Sequence, residues 1–239
     1  MENQMKYSKI LFIAAAFAAF GFVACGSDDN SNPAASGGSS GGNKAWNYLN
    51  PNIPYGEFVD SRDGQVYKTV QIGTQIWMAQ NMNYAVKNSV ESTAFYGLGR
   101  LYNTYQANGL YSNEKICPVG WHLPSREEFL ILFASIGGTV NLPYISNVGY
   151  FLKSAKGWNG IDSFGFSAVP AGSCKDAVKS SHCEGFEHSY KSDKLYTEFW
   201  TSTQTSNAES VIVRIDESND VYIDPYGSLD YRSVRCVMD

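Results

Sequence analysis

The sequence predicts an α+β domain of short antiparallel strands, two helices and long irregular loops, stabilised by disulfides. Three observations predict it. Apolar residues alternate with period two in short runs near both ends of the domain, punctuated by turn residues. One strongly marked helix lies between them, entered through Cys117-Pro118-Val119-Gly120-Trp121-His122-Leu123-Pro124-Ser125. Four cysteines, Cys117, Cys174, Cys183 and Cys236, fall within the same region, an even number of the kind that frames exported domains.

The elements follow in order. Asp63-Gly64 joins two runs as a hairpin turn, because both residues tolerate positive φ. Residues 66–72 alternate Val66, Lys68, Val70 and Ile72 against Tyr67, Thr69 and Gln71; Gly73-Thr74 turns the chain into a third short strand at 75–79. Residues 83–113 carry many tyrosines but no helical period, so they read as packed irregular chain with a short strand at 100–105. Ser125 then caps a helix, with Glu128 three residues on completing a capping box. Phe129, Leu130, Leu132, Phe133 and Ile136 give that helix its apolar face, and Gly137-Gly138 ends it. A second short helix is expected at 150–155 and an inner strand at 164–172. The C-terminal part reads as strands at 198–203, 210–215, 221–224 and 231–237, about eight strands in all. The residues 216–220 form an acidic hairpin tip, and the last strand alternates basic and apolar residues, which predicts one wet face.

Not all 239 residues belong to this domain. Lys6 and Lys9 precede a fifteen-residue apolar run, 10–24, that is short for a membrane span and reads as a signal peptide over residues 1–24. The run ends in Phe22-Val23-Ala24-Cys25, which resembles a bacterial lipobox; that resemblance implies lipidation of Cys25 and removal of the segment before it. Residues 25–43 are then the lipidated cysteine and a linker of Gly, Ser, Asn, Asp, Ala and one Pro, too polar to bury a core. Gly26 follows the cysteine where an aspartate favours inner-membrane retention, so the expected location is the outer membrane, on the cell surface if the acidic Asp28-Asp29 pair acts as an export patch. The single folded domain spans residues 44–239. The chain's net charge is −5, and residues 1–24 contribute +1 (Lys6, Lys9, Glu2), leaving −6 for the rest. No basic stripe is present, which argues against nucleic acid as a partner.

The four cysteines allow three pairings. Cys174 with Cys183 closes a short polar loop, and Cys117 with Cys236 ties the start of the helix to the last strand; this is the preferred pair of bridges. A metal site is the rival, with His182 beside Cys183 its best element, but no C-x-x-C occurs and the three histidines are scattered.

These blocks resemble the Fibrobacter succinogenes major paralogous domain. The resemblance rests on Asp63-Gly64 with Val66-Tyr67-Lys68-Thr69-Val70, Trp77-Met78-Ala79, Cys117-Pro118, Gly120-Trp121-His122-Leu123-Pro124, Gly157-Trp158-Asn159, Gly165-Phe166-Ser167-Ala168, Phe199-Trp200-Thr201-Ser202 and Val234-Arg235-Cys236-Val237. It implies a domain borne by secreted or lipid-anchored bacterial proteins. More distantly, the helix after Gly120-Trp121-His122-Leu123-Pro124-Ser125 and the closing strands are similar to C-type-lectin-like domains. The Glu-Pro-Asn, Gln-Pro-Asp and Trp-Asn-Asp triplets of calcium-dependent sugar binding are missing, as are the paired cysteines of the formylglycine-generating enzymes that share that broad fold.

No nucleophile is matched to His122, and Glu127 and Glu128 suit a first helical turn, so no catalytic residue, metal or cofactor is expected. Trp158, Asn159 and Asp162 combine an aromatic with an amide and a carboxylate, as a sugar platform requires, and Tyr190 and Tyr196 are expected to be exposed in a variable insert. The expected activity is non-catalytic binding of a glycan or a partner protein in adhesion, against two alternatives: an envelope assembly module and a polysaccharide-acting enzyme.

Overall fold

A computed structural model describes residues 44–91, 98–109, 115–174, 195–205, 209–226 and 230–239. The signal peptide, Cys25, the linker, Cys183 and Tyr190 lie outside these residues. The fold is mostly antiparallel β-sheet with few helices, an α+β arrangement in which every strand is short. After a 3₁₀ turn at Lys44–Tyr48 come β1 (Gly56–Val59), β2 (Val66–Ile72), β3 (Gln75–Met78), β4 (Val90–Glu91) and β5 (Arg100–Tyr102). Then follow α1 (Thr104–Ala107), β6 (Trp121–His122), α2 (Arg126–Ser135), β7 (Thr139–Asn141), β8 (Tyr144–Ser146) and α3 (Gly149–Leu152). The chain closes with β9 (Thr197–Gln204), β10 (Ser210–Ile215), β11 (Val221–Tyr226), β12 (Arg232–Ser233) and β13 (Val237–Met238).

Two sheets result. One is five-stranded in the order β1-β2-β3-β13-β6, and the other is eight-stranded in the order β4-β5-β12-β9-β10-β11-β8-β7. The β1–β3 meander forms as its turns dictate, with Gly64 and Gly73 at positive φ in the two turns. In α2 the Ser125 side chain accepts from the Glu128 amide while Glu128 accepts from the Ser125 amide, so two orphan donors of the first turn are satisfied reciprocally. The helix buries Phe129, Leu132, Phe133 and Ile136 in the main core. There Phe129 meets Trp77 at 5.0 Å between ring centroids, and Phe166 meets Trp77 at 5.8 Å and Phe199 at 5.9 Å. A second core cluster gathers Tyr67, Met82, Tyr102, Trp121, Trp200 and Val234 around Cys117 and Cys236. Those two cysteines are bonded, at 5.8 Å between Cα atoms. Cys174 is disulfide-bonded as well, through a sulfur outside the described residues.

Several expectations need correction, beginning with the count: the described residues form three α-helices and thirteen strands, not two helices and about eight strands, because many strands have only two or three residues. The inner strand at 164–172 is an irregular loop, touching its neighbours by the single parallel bridges Lys153↔Ala168 and Gly172↔Thr197. Asp162 (φ 48°), Gly165 (φ 76°) and Ser167 (φ 52°) are left-handed, which breaks an extended run. The last strand is two strands. Arg232 and Ser233 belong to the large sheet and Val237 to the small one, so residues 234–236 carry the chain between sheets. It therefore has no wet face: Arg232 and Arg235 are buried. Arg235 donates to the Phe166 carbonyl, to Met78 O at 3.4 Å and to Asn81 Oδ1 at 2.6 Å, taking up acceptors that the 164–172 loop and the sheet crossing leave open. The second short helix stops at Leu152, because Lys153 is extended.

Candidate functional site

The outer face of the large sheet carries a row of polar and aromatic side chains. Register places Tyr144 opposite Tyr222, Tyr222 opposite Arg214 and Arg214 opposite Glu198 across four adjacent strands. Glu198 continues the row to Arg232 on β12, with Oε2 at 2.7 Å from Nε. Alternation explains this: Ile145, Val221, Ile215 and Val213 fill the core from the opposite face of the same strands. At the β9 and β12 end the row is buried. Arg214 pairs with Glu198 at 2.8 Å and lies over the Tyr196 ring at 4.3 Å. Arg232 is sandwiched between Trp200 at 4.5 Å and Tyr226 at 4.3 Å. Among the described residues its Nη1 has no hydrogen-bond partner.

The β8 and β11 end is open. Tyr144 is 53% exposed. The Tyr144 ring meets Tyr222 at 5.3 Å with an interplanar angle of 55°. The Tyr222 hydroxyl donates to Asp224 Oδ2, and that bond, with burial, pushes the phenol up to about 12. Tyr222 thus stays protonated and its hydroxyl orients the Asp224 carboxylate. A tilted pair of tyrosines beside a fixed carboxylate offers an apolar ring surface and a hydroxyl acceptor side by side.

A groove of about 570 Å³ lies between the start of α2, the β7–β8 turn and strands β9–β11, lined by Arg126, Leu142, Pro143, Thr203, Gln204 and Pro225 among others. Thr203 Oγ1 accepts from the Arg126 amide at 2.9 Å, so β9 fixes where the helix begins. The sequence reading missed this groove and the tyrosine row. The signals for them were a cation, Arg126, in the first turn of a helix, where the macrodipole opposes it, and the Leu142-Pro143-Tyr144 turn.

Of the residues proposed from sequence, Trp158, Asn159 and Asp162 lie outside the row, and Tyr196 lies beneath Arg214 within it. Trp158 is buried, with its ring 5.7 Å from the Lys153 ammonium. Asn159 is exposed, and its amide donates to the Glu217 carbonyl at 2.9 Å. Asp162 is fully buried: Oδ1 accepts from the Ser167 amide at 2.7 Å and Oδ2 from the Ser167 hydroxyl at 2.6 Å, and its own carbonyl accepts from Asn50. Burial raises its carboxyl to about 6, against the lowering pull of those bonds and of Arg235. Tyr196, expected to be exposed, is buried under Arg214, and its hydroxyl is 2.9 Å from Ser173 Oγ. These four hold loops. Lys153 does the same for the acidic tip, donating from Nζ to Asp216 O at 2.9 Å and to Ser218 O at 2.7 Å, so an ammonium occupies the carbonyls of that turn. His122 bridges Glu128 Oε1 at 2.7 Å and Asp239 Oδ1 at 2.6 Å, tying the last residue to the helix cap. Among the described residues, no group of three or more His, Cys, Asp and Glu could hold a metal ion.

The family follows from the blocks that build both cores. The model of the Fibrobacter succinogenes major domain matches residues 70–238. The chain belongs to that family. The matched stretch includes Trp77, α2, the Gly165-Phe166-Ser167-Ala168 loop, Trp200 and the Cys236 bridge, so the family pattern describes the scaffold beneath the tyrosine row. No curated protein and no solved structure matches the chain. Among the described residues no helix is long and apolar enough to cross a membrane.

Proposed function

We propose that the protein is a surface lipoprotein, anchored through Cys25 to the outer membrane, whose family domain binds glycan without catalysis and so serves adhesion. The observation that carries this reading is the open end of the sheet row: exposed Tyr144 packed on Tyr222, with Tyr222 bonded to Asp224. Sugars present an apolar C–H face and a hydroxyl rim, and this pairing answers both. The wall of this site is a rigid antiparallel sheet rather than a loop, which limits the ordering cost of binding. A C-type-lectin-like architecture is part of the proposal. It is supported by the bridge from Cys117, just before the helix, to Cys236 near the last strand, and by first and last strands sharing one sheet.

The test is a pull-down of the full-length chain on cell-wall and plant polysaccharides, alongside Tyr144→Ala and Asp224→Asn. Loss of one stacked tyrosine should weaken binding about tenfold, the order of a 1–1.5 kcal/mol aromatic contact. Retention of no polysaccharide at all would sink the glycan reading, and co-purification of one stable envelope protein would turn it to a partner protein. Radiolabelled palmitate incorporated by the parent and lost in Cys25→Ala tests the anchor separately.

A further inference from the structure

The groove at the start of α2 meets the tyrosine row at Asp224, whose carboxylate lines the groove while Oδ2 accepts from Tyr222, and Arg126 is the residue that needs explaining. It occupies the first position of the helix, where the exposed amides already present partial positive charge. Its amide is used by Thr203, but among the described residues its guanidinium makes no ion pair or hydrogen bond, although Glu127 is its neighbour in sequence. The side-chain amide of Gln204, across the groove, is likewise uncommitted. A free cation placed where the helix disfavours it is a cost that folding does not recover.

The remaining lining says what such a cation would meet. Leu142, Pro143 and Pro225 give flat apolar surface, and Val211 and Ile223 close the floor from the core side. Gln204 brings an amide to the wall and Asp224, held by Tyr222, a carboxylate, while the Thr203 hydroxyl is engaged by the Arg126 amide and Glu127 Oε2, so Arg126 is the cation of the groove and Asp224 its anion. Apolar faces with a hydroxyl-seeking rim suit a sugar ring, and a volume of about 570 Å³ suits one or two of them. A planar guanidinium matches a carboxylate through two parallel N–H donors. We infer that this groove is a second subsite that takes the carboxylate-bearing unit of an acidic polysaccharide, a uronic acid, with Arg126 on the carboxylate. This rests on the glycan-binding reading and narrows its ligand class. Because the chain carries a net charge of −5, attraction of an anionic polymer is local to the groove and is screened by salt.

The experiment is calorimetric titration of the full-length chain in detergent with tri-galacturonate and with a neutral galactose trimer, for the parent, Arg126→Gln, Arg126→Lys and Tyr144→Ala. The parent should prefer the uronate. Arg126→Gln should lose that preference, about 10–100-fold in uronate affinity, while its neutral-sugar affinity stays within about twofold. Arg126→Lys should recover only part, because an ammonium lacks the fork. Thermal melting supplies a second readout: removing a cation from the first helical turn should raise the melting temperature of Arg126→Gln. Equal uronate affinity for parent and Arg126→Gln, or a lowered melting temperature that marks Arg126 as structural, overturns the inference. Neutral-sugar binding that depends on Tyr144 without any uronate preference also overturns it, and leaves the binding reading standing. No binding of either trimer by the parent removes both.

Discussion

Asp162→Asn is the substitution whose outcome the structure specifies most closely. Asp162 is fully buried, and its two oxygens receive only the amide and the hydroxyl of Ser167. Arg235, also buried, is the nearby cation, but its donors are spent on Phe166, Met78 and Asn81. Burial therefore dominates and lifts the carboxyl from 3.8 to about 6. A rise of about two units corresponds to about 3 kcal/mol of preference for the neutral form in the folded state. The sign follows from linkage. The folded chain binds this proton more tightly than the unfolded chain, so the contribution is fully present below pH 3.8 and is lost as pH rises through about 6. Asparagine mimics the protonated acid: its carbonyl still accepts from the Ser167 amide, and its amide can donate to the Ser167 hydroxyl. At pH 7.5 the variant should thus be more stable than the parent by up to about 3 kcal/mol, and near pH 4 the two should agree. Urea unfolding at half-unit steps from pH 4 to 7.5 measures it. Parallel stability curves for parent and variant across that range, or a less stable variant at pH 7.5, would refute the reasoning.

Three further outcomes follow from other contacts. Breaking the Cys117–Cys236 bridge by a double Cys→Ala change opens a loop of 119 residues and should cost about 4–5 kcal/mol, seen as a lowered urea midpoint. Lys153→Met leaves the Asp216 and Ser218 carbonyls without their donor, so stability should fall by about 1–3 kcal/mol, with faster amide exchange across 216–220. Burial works to lower the His122 pKa, but its bonds to Glu128 and Asp239 outweigh that and raise it above 6.5. Its stabilisation is therefore present below pH 6.5 and is lost as pH rises through the raised value. The melting temperature of the parent should fall toward that of His122→Gln between pH 6 and 9, and a constant gap would contradict this.

What the sequence disclosed was whatever is decided within a few residues. Asp63-Gly64 and Gly73 dictate their turns locally, and Ser125 with Glu128 closes a capping box without help from the rest of the chain. The β7–β8 hairpin was passed over because its strands have three residues each and no alternation long enough to read. The basic alternation at Arg232 and Arg235 misled for a different reason. Period two says which side chains share a face, but not whether that face meets water, and here the segment crosses between two sheets. Trp158 and Asp162 looked like binding residues because a sugar platform and a buried loop clamp use the same side-chain types; only burial separates them. The tyrosine row was illegible for the complementary reason. Tyr144 lies far from the others in sequence, on an edge strand too short to read, and Glu198, Arg214 and Tyr222, though on successive strands, line up only once strand register is set.

Strand β13 is the last element in the chain, yet it lies inside the small sheet, between β3 and β6. Those two strands are not bonded to each other; Val237 faces both Trp77 and His122. During folding the meander can pair by itself, but β6 has no place in its sheet until residues 237–238 arrive. The small sheet therefore closes only when β13 docks. The same wiring bears on handling the protein: the Asp239 amide donates to the Gly120 carbonyl at 3.1 Å, so a purification tag fused directly after it would pull on the segment that joins both sheets. A spacer there, or a tag ahead of residue 44, would spare it.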